Sequence, residues 1–295
     1  MLPFPGEKSS IEDRLFPQKY TLQIKGRLIS LEKPKVMGIL NITPDSFFEG
    51  SRVQNQESQL LDRAGKMIEE GADFLDLGGY STRPAGAAEV SVAEEIERVI
   101  PAISLLKKYF PETLISVDTF RSKVARASID AGVDLINDIS AGELDPEMLP
   151  LVAKSGLPYI AMHMRGTPQT KQQFTQYDDL INDILSYFYQ KIDTFRKLGI
   201  KDVILDPGFG FAKTLEQNFE LLKKARSLQI FGCPLLIGIS RKTMIYRLLQ
   251  TDPSQALNGT TALNMFSLMQ GANLLRVHDV KEAKETITLY EQLYP

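Results

Sequence analysis

The chain has 295 residues, 43% of them hydrophobic and 24% charged, close to ordinary globular averages and enough to bury the core of one α/β barrel. Its net charge of -3 excludes recruitment of nucleic acid or a membrane surface by bulk charge, so an anionic ligand has to be caught by a local cluster. The single cysteine, Cys233, excludes an intrachain disulfide and reads as a small buried hydrophobe.

Residues 1–19 carry Pro, Gly and Ser with little periodicity and are expected to form a flexible extension, with residues 20–295 as a single domain. They hold no apolar signal core, and no uninterrupted apolar stretch reaches membrane-span length, so a cytoplasmic protein is expected. Residues 20–31, YTLQIKGRLISL, read as a hairpin turning at Lys25-Gly26. From Val36 one pattern recurs: a short apolar run ends in polar residues, and an amphipathic helical stretch follows.

The apolar runs are 36–42, 74–79, 114–119, 135–140, 159–164, 203–209, 234–240 and 274–279. The helical stretches between them include SQLLDRAGKMIEEGA, stopped by Gly71, and SVAEEIERVIPAISLLKKYF, where Ser91 and Glu94 have capping-box spacing. Further helical stretches are KVARASIDAG, DLINDILSYFYQKIDTFRKLG, LEQNFELLKKARSL, TALNMFSLMQG and EAKETITLYEQL. Alternation of buried strands with helices implies parallel strands joined by right-handed crossovers. Eight such units favour a closed (β/α)8 TIM-type barrel behind the N-terminal β-hairpin. An open doubly wound sheet is the alternative, but the only glycine-rich turn, DPGFGFAK, lacks the third glycine and the acidic partner of a dinucleotide site.

The run ends carry residues that a buried strand should avoid: Asn41, Asp118, Asn137-Asp138, His163 and Arg165, Asp206, Ser240-Arg241-Lys242, and Arg276, His278 and Asp279. In a barrel all of these converge on the C-terminal mouth. A single Asp at a strand end is ordinarily a helix cap, the plain reading of Asp138 and Asp279. Several buried carboxylates together call for a polar partner. Asp118, Asn137 and Asp206 suit a heterocycle with a row of N–H donors, such as the edge of a 2-amino-4-oxo-pterin. Arg276 and His278, two apart on one strand, share a side and with Asn41 suggest an anion site. A salt bridge and a structural histidine are their plain alternatives. Loops 41–52 and 78–90, the first with adjacent aromatics and the second with Arg83, have the composition of lids.

With these residues in view, the sequence resembles the dihydropteroate synthases from about Val36 onward. The likeness is carried in order by MGILNITPDSFFEGS, GADFLDLGGYSTRP, ISVDTFRSKVA, INDISAG, MHMRGTPQT, ILDPGFGFAKT, LLIGISRK, NGTTALN and LLRVHDV. The resemblance implies a transferase of folate biosynthesis, a sulfonamide target, which joins 6-hydroxymethyl-7,8-dihydropterin pyrophosphate to p-aminobenzoate. It implies that Asp118, Asn137, Met162, Asp206 and Lys242 hold the pterin, and that Asn41 binds Mg2+ and pyrophosphate with Arg276 and His278 on the phosphates. It implies Phe47, Thr82, Arg83, Pro84, Phe211, Lys242 and Thr243 around p-aminobenzoate, catalytic work for Asp118, Asp206, Lys242, Arg276 and His278, and a homodimer. Three positions depart from the family pattern: Ala212 replaces a usual glycine, STRPAGA is one residue longer than usual, and Tyr80 stands where many members have glutamate. The rival readings are a corrinoid-linked methyltetrahydrofolate methyltransferase, which needs no pyrophosphate site, and a non-catalytic pterin-binding paralogue, which should have lost parts of it.

Overall fold

The computed structural model describes residues 20–42, 53–80, 90–167, 170 and 174–294. The expected N-terminal extension, most of both expected lid loops, and Phe47, Thr82, Arg83 and Pro84 lie outside the described residues.

Strands β1 (Thr21–Ile24) and β2 (Arg27–Ser30) pair antiparallel around Lys25-Gly26, as the alternation of residues 20–31 predicts. Eight parallel strands follow: β3 (Lys35–Asn41), β4 (Phe74–Gly78), β5 (Leu114–Asp118), β6 (Leu135–Asp138), β7 (Tyr159–Met162), β8 (Val203–Asp206), β9 (Leu236–Ile237) and β10 (Leu274–Val277). Strands β3 to β8 are neighbours in chain order, β10 joins β3 to β9, and a Leu205–Leu235 bridge beside β9 closes the ring. The barrel expectation holds and the open sheet is excluded. The seventh apolar run forms only a two-residue strand, and the contact with β8 is made by Leu235, just before β9.

The helices are α1 (Val53–Glu69), α2 (Val92–Tyr109), α3 (Ser122–Asp130), α4 (Met148–Ser155), α5 (Leu180–Leu198), α6 (Leu215–Lys223), α7 (Thr243–Tyr246), α8 (Leu257–Met269) and α9 (Val280–Leu293). Both bonds of the Ser91–Glu94 capping box are formed. The expected helix 215–228 ends at Lys223 and tightens into a 3-10 segment over Ala225–Phe231.

Side chains alternate across each strand. One set, including Leu75, Leu77, Ile115 and Val117, packs outward with Val99, Ile103 and Leu106 of α2 and their counterparts. The other fills the barrel. Met37, Phe74, Leu114, Leu135, Ile160, Ile204, Leu236 and Leu274, one from each strand near its N-terminal end, form a layer against Leu22, Ile24, Ile29 and Leu31 of the hairpin segment. The hairpin therefore closes the N-terminal end, each fully buried Leu or Ile contributing roughly 1.5–3 kcal/mol. With that end sealed by hydrocarbon, the polar interior residues are confined to the opposite mouth.

Candidate active site

Strand register lines up the mouth. Asn41 pairs with Gly78, Gly78 with Asp118, and Asp118 with Asn137, while Met162 pairs with Asp206 farther round. Gly78 leaves a gap in this row: a Cβ there would lie 3.9 Å from both Asn41 Oδ1 and Asp118 Oδ2. An amide oxygen and a carboxylate oxygen thus flank one small space.

Arg276 stands at the centre. Its Nε donates to Asp76 Oδ2 at 2.6 Å and its Nη2 to Asp118 Oδ2 at 2.7 Å. Asn137 Nδ2 donates to the same Asp76 oxygen at 3.0 Å. The salt-bridge reading of Arg276 is therefore realised, and its Nη1 takes no part in these bonds. Asp76, missed in the sequence, is fully buried and its Oδ1 has no hydrogen-bond partner among the described residues. Because Asp76 occupies the Asn137 amide nitrogen, the Asn137 carbonyl oxygen is left as the acceptor. Burial pushes the Asp118 carboxyl up to about 7, with Arg276 opposing and Asp76 adding to the rise. Burial also works against the Arg276 cation, but Asp76 and Asp118 more than offset it, so the guanidinium stays charged.

Opposite lies Asp206, buried, with its carboxyl raised by desolvation against the pull of Lys242. Its Oδ1 accepts from Gly208 N at 2.7 Å. Lys242 Nζ donates to Phe209 O at 2.6 Å and lies 5.4 Å from the Phe211 ring centre. Burial lowers this ammonium to about 8, although Asp206 opposes the shift. Met162 and Phe211 share an apolar cluster with Ile139 and Met164. Thr243 begins α7 beside Lys242 and is exposed, with Oγ1 3.1 Å from Tyr246 Oη.

His278 follows β10. Its backbone N–H donates to Ser240 Oγ at 3.1 Å, and that oxygen lies 3.0 Å from His278 Nδ1. When Ser240 Oγ donates to Nδ1, the ring proton sits on Nε2, the tautomer an anion site needs. The sequence marked Ser240 as a strand end but not as the orienter of His278.

Two other strand-end acids have structural duties, though not as helix caps. Asp138 accepts from Ser140 N and Oγ, Gly142 N and Tyr159 Oη, holding a turn. Asp279 stands at the start of α9 without a side-chain cap bond, because Arg241 occupies both its oxygens at 2.8 and 2.7 Å. Tyr80 meets Phe120 edge-on, with ring centres 5.4 Å apart, and lies 5.1 Å from the Arg121 guanidinium. Arg121 in turn pairs with fully buried Glu95 at 2.8 Å.

Ala212 has φ 50 and is buried. Glycine there would relieve about 1–2 kcal/mol of left-handed strain, but would lose about 0.8 kcal/mol of methyl burial and roughly 0.5–1 kcal/mol to backbone entropy. These terms nearly cancel, so A212G should change unfolding free energy by less than about 1 kcal/mol. A urea titration checks this, and a gain above about 2 kcal/mol would show that strain dominates.

Residues 37–278 match the family model described as pterin binding enzyme. The chain is 44% identical over 269 residues to the dihydropteroate synthase of Escherichia coli strain K12, covering 90% of this chain and 94% of that protein. Among solved structures, Yersinia pestis dihydropteroate synthase in a sulfonamide drug complex superposes with a TM-score of 0.86 at 43% identity, over 92% of this chain and 98% of that one. The Xanthomonas albilineans enzyme with 4-aminobenzoic acid gives a TM-score of 0.85 at 38% identity, over 93% and 98%. The acceptor-lined mouth is thus set in a barrel matched nearly end to end by these enzymes, and the chain belongs to the pterin binding enzyme family, among the dihydropteroate synthases.

Proposed function

We propose that this chain condenses 6-hydroxymethyl-7,8-dihydropterin pyrophosphate with p-aminobenzoate to give 7,8-dihydropteroate and pyrophosphate. The observation that carries the reading is the convergence of Asp118, the Asn137 carbonyl and Asp206 around Arg276 at one barrel mouth. These acceptors match the donor edge of a pterin, and pterin binding lets the carboxylates share protons that burial otherwise forces onto them.

In the reaction the C–O bond at the pterin methylene breaks and the electron pair leaves with pyrophosphate. The amine nitrogen of p-aminobenzoate bonds to that carbon and then loses a proton. Asp118 and Asp206 hold the pterin and favour its developing positive charge. Arg276, through the Nη1 not engaged with the carboxylates, and His278, through Nε2–H, stabilise the growing negative charge. No covalent nucleophile is needed. Lys242, Phe211 and Thr243 border the p-aminobenzoate side, to which the family resemblance also assigns Phe47, Thr82, Arg83 and Pro84.

Among the described residues no group of three or more His, Cys, Asp or Glu is arranged to hold a metal. Asn41 Oδ1, beside the Gly78 gap, still suits Mg2+, which takes hard oxygen ligands and commonly only one or two from protein, with phosphates supplying others. When bound, Mg2+ supplies charge neutralisation to the departing pyrophosphate.

Among the described residues no helix is long and apolar enough to cross a membrane. The family resemblance supports a cytoplasmic homodimer in which residues 20–295 are one pterin-binding domain.

Conversion of labelled p-aminobenzoate to dihydropteroate, dependent on the pterin pyrophosphate, tests the activity. A corrinoid-linked methyltransferase or a passive pterin carrier would form no such product. Within the site, D206N should keep the fold, since an amide oxygen can still accept from Gly208 N. It should weaken binding of the pterin pyrophosphate by about 1.5–3 kcal/mol in calorimetry, because a charge-assisted acceptor is lost. Unchanged affinity would remove Asp206 from the pterin site.

A further inference from the structure

Two buried groups stand beside this machinery without a part in it. Lys213 is only 8% exposed and His163 only 1%. Lys213 Nζ lies 3.0 Å from His163 Nδ1 and donates to Gly208 O and Phe211 O, each also at 3.0 Å. It forms no ion pair among the described residues. A buried ammonium without a paired carboxylate is costly, so these three acceptors have to hold it. When Lys213 is the ammonium, its three protons face three acceptors, and His163 Nδ1 is then unprotonated.

The acceptors belong to two elements. His163 ends β7, and its N–H donates to Asp206 O at 2.9 Å. Gly208 and Phe211 belong to the turn after β8, residues 207–212. The two carbonyls held by Lys213 flank Phe209 O, the one on which Lys242 Nζ rests. Phe211, whose carbonyl Lys213 holds, presents its ring to the same Lys242. On the far side of the turn, Tyr177 Oη donates to Ala212 O at 2.9 Å and Asn218 Oδ1 accepts from Gly210 N at 2.7 Å.

We propose that Lys213 and His163 form a positioning pair that fixes the 207–212 turn, and through it the placement of Lys242 and Phe211 toward p-aminobenzoate. The proposal takes its substrate from the reading above, while its geometry stands apart from it. Burial favours the neutral forms of both groups, lowering Lys213 to about 7 and His163 well below the usual histidine range. Among charged neighbours, Asp206 supports the Lys213 cation, while Lys242 and Arg165 oppose it. The packed rings around His163 are Tyr187, Tyr177 and Phe188.

K213M keeps the unbranched apolar stem of the side chain and removes the three donors. It should raise KM for p-aminobenzoate roughly ten- to a hundredfold and KM for the pterin substrate clearly less, because Lys242 also faces Asp206 whereas Phe211 serves only the p-aminobenzoate side. H163L should behave like K213M, and the double variant should be no worse than K213M alone, because the two groups act as one unit. H163N, whose side-chain oxygen can accept in place of Nδ1, should restore the KM. Wild-type KM in K213M, or equal rises for both substrates, would overturn the proposal. Should K213M fail to fold, the contrast between H163L and H163N decides it. Nitrogen NMR of the wild type gives a readout that needs no turnover: His163 should stay neutral, with Nδ1 unprotonated, well below the pH at which an ordinary histidine takes up its proton. A ring that titrates like an ordinary histidine contradicts the pair. An inactive wild type would sink the synthase reading and leave the pair to be judged by that spectrum.

Discussion

Replacing Arg276 by alanine is expected to lower kcat by about 10²–10³, comparable to removing a preorganised oxyanion donor, and to cost about 3–5 kcal/mol of stability, as when one partner of a buried ion pair is removed. The two losses have different origins. The catalytic loss follows because charge on the leaving pyrophosphate grows as the C–O bond breaks, so a cation there is worth more in the transition state than in the ground state. The stability loss follows because Arg276 is the shared partner of Asp76 and Asp118 at 2.6 and 2.7 Å. Its removal would strand the Asp76 carboxylate, fully buried and with one oxygen already unpartnered.

The pH dependence has a definite sign. The carboxyl of Asp118, already lifted to about 7, rises further without its cation. An acid whose folded value is raised contributes stability at low pH that is lost as pH rises through that value. The deficit of R276A should therefore shrink as pH falls from the raised value toward about 7, below which Asp118 is protonated in both proteins. R276K should recover part of the stability but little of kcat, since an ammonium lacks the planar fork that spans two carboxylates and still reaches a phosphate. Urea unfolding across pH, beside steady-state kinetics, checks both parts. A stable R276A with reduced kcat would show that the carboxylates do not depend on this cation.

Gly208→Ala should cost about 2–5 kcal/mol, combining left-handed strain of about 1–2 kcal/mol with overpacking of about 1–3 kcal/mol. Gly208 has φ +73, and a Cβ there would meet the His163 carbonyl oxygen at 2.0 Å. That carbonyl cannot retreat easily, because the His163 N–H is bonded to Asp206 O. Gly132→Ala serves as the control. With φ +96 and nothing within 4 Å of its Cβ position, it bears the conformational cost alone. Urea denaturation of both variants separates the terms, and equal losses would mean that the close approach at Gly208 relaxes without cost.

The strands were legible in the sequence because each is a short apolar run with a polar end, and all eight runs became barrel strands. The hairpin at Lys25-Gly26 was equally legible, but its docking against the N-terminal layer was not, since no local pattern says which end of a barrel a hairpin will close. Helix α4 escaped notice because it is short and carries Pro150, tolerated in the first turn but a breaker to any reading by propensity. Strand-end polarity pointed to Asp118, Asn137 and Asp206. Asp76 went unnoticed because it lies inside its run, where an acid two residues before Gly78 gives no positional signal. Lys213 was hidden for a related reason: following a glycine-rich turn, it reads as a solvated lysine, and only the folded turn brings three acceptors around it. Arg276 was found, but the sequence could not reveal that two carboxylates from β4 and β5 would share it.

The central claim is that pyrophosphate leaves this mouth when an amine attacks the pterin methylene. Pyrophosphate release from the purified wild-type protein tests it most directly. With dihydropterin pyrophosphate, p-aminobenzoate and Mg2+ together, the account predicts one pyrophosphate released for each p-aminobenzoate consumed, and a steep fall in rate for folded R276A. No release by the wild type with both substrates and Mg2+ present would contradict it.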